Sequence, residues 1–221
     1  MKQGSLNRLV KLSALAACGV ALCSHAEASP ISLGIGSFGS PLITFSEVAI
    51  GTPLNGLTIN GFSFFETIPN TTVTSGGPLN TNSITQPAAL GFGNPLGETI
   101  TVTMPSLMSG FGFGYATLAP GVVVPNAVTV TLFNGITNLG SLSYTASPDP
   151  MFPGGFMGIG DNTTPFDRVT FSFTAAALAY DFDNIRANPA TPAVVPEPTS
   201  VVLLGSGVIG LMARRRHKSR A

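Results

Sequence analysis

The sequence predicts an all-β protein, an antiparallel β-sandwich followed by a single C-terminal transmembrane helix, from three observations. Apolar side chains alternate with polar or small ones in short runs: Ile100, Val102 and Met104 among threonines, Phe111, Phe113 and Tyr115 around Gly112 and Gly114, and Val128, Val130 and Leu132 around Thr129 and Thr131. Turn-forming sequences, among them Asn55-Gly56, Asn60-Gly61, Asn134-Gly135 and Pro153-Gly154-Gly155, separate the runs. With 26 glycines and 18 prolines in 221 residues, the central chain sustains no helical period. A period of two is the pattern of strands with one buried face. Glycine and proline disfavour helix interiors, and many short strands close into a sandwich, here jelly-roll-like.

Taken in order, residues 1–28 read as a secretory signal peptide: Lys2, Arg8 and Lys11 precede an apolar stretch from Leu12 to Cys23, and Ala26-Glu27-Ala28 leads into Ser29. Small side chains at Ala26 and Ala28 suit signal peptidase, which places cleavage after Ala28. Leu15-Ala16-Ala17-Cys18 resembles a lipobox and offers a rival processing site. The β-sandwich domain spans 29–188. Gly34 to Gly39 formally matches a dinucleotide-binding fingerprint, but Pro41 and a β-run follow where that motif needs a helix, so the segment reads as a flexible leader. Further strands are expected at Ile43 to Ala49, Leu57 to Phe65, Gly140 to Thr145, Arg168 to Thr174 and Leu178 to Arg186, with Thr71 to Pro95 a long loop holding a short strand or two. Residues 189–195 form a Pro/Ala/Thr linker, a semi-rigid spacer.

Charge and composition exclude whole classes of function. Between Pro30 and Asn188 the basic residues are Arg168 and Arg186, against the acids Glu47, Glu66, Glu98, Asp149, Asp161, Asp167, Asp181 and Asp183, a formal charge of −6. That balance leaves no basic footprint for nucleic acid. The same stretch has no Cys, His, Lys or Trp, which excludes serine–histidine, cysteine–histidine and serine–lysine catalysis and histidine-bound zinc. Cys18 and Cys23 lie within the leader, so the mature domain holds by burial without disulfides.

The last residues, 196–221, carry three elements in a fixed order. Pro196-Glu197-Pro198 forms with Val195 a stiff, extended tetrapeptide, an apolar run follows to Ala213, and Arg214, Arg215 and Arg216 open a basic end. Residues 199–213 are short against the roughly 20 residues of a membrane span, and arginine snorkelling extends their reach. This arrangement resembles the PEP-CTERM sorting signal of exported proteins in Gram-negative bacteria that make exopolysaccharide. The resemblance implies recognition of Pro196, Glu197 and Pro198 by the membrane peptidase exosortase, a basic stop at Arg214, Arg215 and Arg216, and transient residence in the inner membrane. Delivery to the cell surface or extracellular biofilm matrix then follows.

The central domain resembles jelly-roll modules of the carbohydrate-binding type in its early Phe45-Ser46-Glu47 strand, its Phe156 to Gly160 stretch and its closing Asp183-Asn184-Ile185. That resemblance implies a structural calcium ion held by Glu47 and Asp183, with Asp181 a further candidate. Calcium takes six to eight oxygens, so carbonyls or water must complete the shell. The alternative is that Asp183 and Asn184 satisfy backbone amides at the end of the last strand. Sugar recognition would use Tyr115, Tyr144, Tyr180 or an exposed phenylalanine as a stacking platform. The sequence therefore predicts an exported, non-enzymatic surface or matrix protein. One alternative is a carbohydrate-binding module for exopolysaccharide, and another is a surface glycoside hydrolase using two carboxylates.

Overall fold

The computed structural model of the protein describes residues 29–75, 83–92, 98–119, 122–149 and 152–191. Among the described residues eleven strands occur in chain order: β1 (Ile31–Ser32), β2 (Thr58–Ile59), β3 (Phe62–Glu66), β4 (Thr71–Thr74), β5 (Ala88–Phe92), β6 (Ile100–Thr117), β7 (Val124–Asn134), β8 (Thr137–Ala146), β9 (Gly154–Gly160), β10 (Phe166–Phe173) and β11 (Ala179–Pro189). Every pairing among them is antiparallel. No α-helix occurs among the described residues, and none of their helices is long and apolar enough to cross a membrane. The expected C-terminal transmembrane helix lies outside the described residues.

One strand joins the two layers. The first part of β6 pairs with β3 and β10, Val102 standing opposite Phe64 and Val169. Its later part pairs with β9 and β11, Phe113 opposite Met157 and Tyr115 opposite Phe182. The chain therefore changes layers without breaking: Ile100, Val102 and Met104 face inward before an exposed stretch at Pro105 to Leu107, and Phe111, Phe113 and Tyr115 face inward after it. Between the layers lies a phenylalanine core in which Phe113 meets Phe171 at 4.7 Å and Phe171 meets Phe182 at 5.2 Å. Phe173 stacks on Tyr180 at 4.2 Å with 10° between the planes. Each buried ring contributes on the order of 2–3 kcal/mol by removal from water, which is how a disulfide-free domain holds.

The alternation expected for β6, β7, β8, β10 and β11 corresponds to observed strands, and Asn60-Gly61 turns the chain between β2 and β3 with both residues at positive φ, as a tight hairpin requires. Three expectations are corrected. Ile43 to Ala49 is no strand: Ile43 alone bridges Ile185, and Phe45, at φ 56, turns the chain away. The residues around Gly34 to Gly39 are tied down. Leu33 donates to the Gly158 carbonyl at 2.7 Å, Phe38 stands edge-on to Phe156 at 5.7 Å, and Asn188 donates to the Ser37 carbonyl. Gly154 and Gly155 begin β9 instead of forming a turn. Glycine serves close approach there: a Cβ on Gly158 would lie 2.3 Å from the Leu33 carbonyl oxygen.

Candidate functional site

The polar chemistry of the domain is concentrated on β11 and the segments that cross it. Tyr180 and Phe182 face the phenylalanine core, which turns Asp181 and Asp183 to the opposite side, beside Ala116 and Gly114 of β6. That side is covered too, leaving Asp181 2% and Asp183 0% exposed. The Asp183 Oδ2 accepts from the Thr85 amide at 2.9 Å and the Thr85 hydroxyl at 3.0 Å. Asn184, in the left-handed region at φ 55, donates through its side-chain amide to the Ser83 carbonyl at 2.8 Å. The register shift between Asp183 and Arg186 marks the same distortion.

Two oxygens in this arrangement have no donor among the described residues, Asp181 Oδ1 and Asp183 Oδ1. Burial, and then repulsion from Asp183, pushes the Asp181 carboxyl up to about 7. Burial likewise pushes Asp183 up to about 7, against the hydrogen bonds from Thr85 and Asn184, with Glu47 adding to the rise. The structure thus brings all three sequence-predicted acids into electrostatic reach. Glu47 itself is exposed, and both its oxygens accept from the Thr44 amide. Among the described residues no three His, Cys, Asp or Glu side chains stand close enough together to hold a metal ion. Carbonyls or water would have to complete a cation's shell around the two aspartates.

A second buried cluster escaped the sequence reading. The Tyr180 ring crosses Gly91 toward β4, where its hydroxyl lies 2.9 Å from the Thr71 hydroxyl and donates to Glu98 Oε1 at 2.9 Å. Asn70 donates to Glu98 Oε2 at 3.2 Å, and the Thr71 amide donates to Glu66 Oε1 at 3.1 Å. Glu66 and Glu98 are both buried, and Glu66 Oε2 has no donor among the described residues. Burial raises the Glu98 pKa, Tyr180 opposes that, and the neighbouring Glu66 adds to it. The signal for Glu66 was present in Phe62-Ser63-Phe64-Phe65-Glu66, where a period of two points it inward with Phe62 and Phe64.

Of the sugar-stacking candidates, Tyr115 and Tyr180 are buried core residues and present no platform. Tyr144 is half-buried, its hydroxyl donating to the Gly158 carbonyl at 2.5 Å. Phe65 is the exposed aromatic on the outer face of β3, at 57%. Pro196, Glu197, Pro198, Arg214, Arg215 and Arg216 lie outside the described residues.

These features define an antiparallel β-sandwich with buried acidic clusters. The chain also carries a sorting address: residues 194–216 match the family described as PEP-CTERM protein-sorting motif. No curated protein matches it. Among solved structures it is similar to a carbohydrate binding module of family 29, at 12% identity over 69% of this chain and 98% of that one, with a TM-score of 0.37. Variants of the CBM29-2 module complexed with mannohexaose and with cellulohexaose are each 11% identical, covering 64% of this chain and 91% and 90% of theirs, with TM-scores of 0.36. Overlays this loose say nothing of what this chain binds.

Proposed function

We propose that this chain is an exported, non-enzymatic β-sandwich protein of the cell surface or extracellular matrix, delivered through its C-terminal tail by exosortase. The observation that carries this reading is the sorting motif at 194–216, behind a folded domain that ends with β11. The test is the mass and location of the protein in its native host. The wild type is expected outside the cell, ending near Pro196, and Glu197→Ala is expected to keep Arg214 to Ala221 and stay with the membrane. Recovery of wild-type protein with the basic end intact would overturn the processing step. Asp181, Asp183, Glu66 and Glu98 are buried, which takes these four carboxylates out of a substrate's reach and favours the non-catalytic reading over a glycoside hydrolase.

The domain's structural ion, in this proposal, is calcium bound by Asp181 Oδ1 and Asp183 Oδ1, with Glu47 lending charge from outside. The two buried, donorless carboxylate oxygens support it, because leaving such groups unsatisfied is costly and hard oxygen ligands are what calcium takes.

A second reading, glycan recognition, is favoured by the outer face of one layer. Ser141, Thr131, Thr170 and Thr101 stand in register across β8, β7, β10 and β6, and the row ends on the exposed Phe65 of β3. Ser141 and Thr131 lie 2.8 Å apart at their hydroxyls, as do Ser143 and Thr129 beside them. Hydroxyls flanking an open ring supply the hydrogen bonds and the apolar platform that a neutral sugar chain uses. Phe65→Ala is expected to weaken retention of the protein on the host's isolated exopolysaccharide about tenfold. Equal retention of wild type and variant would remove Phe65 from any such surface.

A further inference from the structure

Asp161 directly follows β9. It is 3% exposed, and its Oδ1 accepts from the Thr163 amide at 2.7 Å, the Thr163 hydroxyl at 2.7 Å and the Thr164 amide at 2.8 Å. Among the described residues its Oδ2 has no partner. The segment beside it is the start of the domain. Ile31 pairs with Gly160 and Ser32 with Ile159, which carries Ser29 and Pro30 alongside Asp161. Pro30 has no amide hydrogen to offer. The Ser29 nitrogen is a donor to the same carboxyl: burial would raise the Asp161 pKa, but hydrogen bonding from Thr163, Thr164 and Ser29 holds it below the ordinary carboxylate value. As part of an amide, that nitrogen has one hydrogen in a fixed direction, and Oδ2 remains unmatched.

We propose that Asp161 is the docking site for the new N-terminus of the mature chain, its Oδ2 pairing with the α-ammonium of Ser29. The inference rests on the reading that the leader is removed after Ala28. In that step signal peptidase adds water across the Ala28–Ser29 amide. The Ala28 carbonyl carbon gains the hydroxyl oxygen and leaves as a carboxylate, while the Ser29 nitrogen breaks from it and takes up protons to become an ammonium. The change converts one fixed donor into three rotatable donors and a positive charge at the place where a buried carboxylate oxygen lacks both. A charge-assisted bond of this kind is stronger than an amide's, and it forms only after cleavage. The β1 pairing with β9 is thereby anchored at its outer end, so export and final consolidation of this edge are coupled.

Three forms of the 29–221 chain in detergent test the pairing: one beginning at Ser29, one acetylated on Ser29, and one extended by Glu27-Ala28. The form beginning at Ser29 is expected to melt about 3 °C higher than the other two, the size of shift a single such interaction produces in a domain of this length. In Asp161→Asn the three forms should melt together. Amine acylation, located by mass spectrometry, gives a second readout that does not depend on the variant's stability, since Lys218 is the only lysine after Ser29. The α-amine of the wild type should react about tenfold more slowly than that of Asp161→Asn, as one unit of raised pKa would give. Equal melting of free and blocked wild-type chains, or an α-amine that reacts at the rate of an unstructured peptide, would overturn the ion pair. Exported protein whose N-terminal residue is not Ser29 would instead overturn the cleavage reading on which it rests.

Discussion

Glu98 shows how burial turns a carboxylate into a pH-dependent cost. Its pKa is raised chiefly by desolvation, with Glu66 adding to the rise. A carboxyl raised in the folded state contributes stability that is fully present below its unfolded pKa and is lost as pH rises through the folded value. Glu98→Gln removes that titration while keeping an oxygen for the Tyr180 hydroxyl. The variant is expected to match wild type in thermal midpoint at pH 4 and to exceed it at pH 8. A difference that does not grow between these two pH values would show that Glu98 is not held in its neutral form by the fold. Such clusters are only half legible in sequence. The period of two turned Glu66 inward, but Glu98 precedes its strand, and nothing local says that Tyr180 crosses to meet it.

At the scale of elements, the crossing of β4, β5 and β11 depends on one missing side chain. Thr71, Gly91 and Tyr180 lie in register across the three strands, and a Cβ on Gly91 would sit 2.2 Å from the tyrosine ring. Gly91→Ala is expected to destabilise the domain by about 1–3 kcal/mol through overpacking and to loosen the Tyr180 hydroxyl from Thr71 and Glu98. Denaturant unfolding measures the loss, and a change under about 0.5 kcal/mol, the range of an ordinary surface substitution, would mean that the ring moves aside freely. Strands β7, β8 and β10 could be read directly, because their alternation of valine, leucine and phenylalanine with threonine and serine states which face is inside. The Ile43 to Ala49 segment misled for a physical reason. It has β-forming residues, but Phe45 enters the core from a left-handed backbone position that packing alone enforces.

For the whole molecule, the proposed calcium ion is tested by melting the 29–221 chain in detergent, with calcium and with chelator. Calcium at 100 times its dissociation constant should raise stability by about 2.7 kcal/mol, and Asp183→Asn should abolish the rise. Superimposable melts in the two conditions would exclude a stabilising ion. The sequence by itself determined the all-β class, the inward faces of most strands and the sorting address, because each is written in local periodicity or in a contiguous motif. It also singled out Glu47, Asp181 and Asp183. Only the tertiary structure decided that β6 serves both layers, that Asp181 and Asp183 are sealed from solvent with two oxygens unmatched, that Tyr115 and Tyr180 are core and not platform, and that Asp161 waits beside Ser29. Those facts depend on which distant segments cover one another, and burial of a charge is a property of its cover, not of its neighbours in sequence.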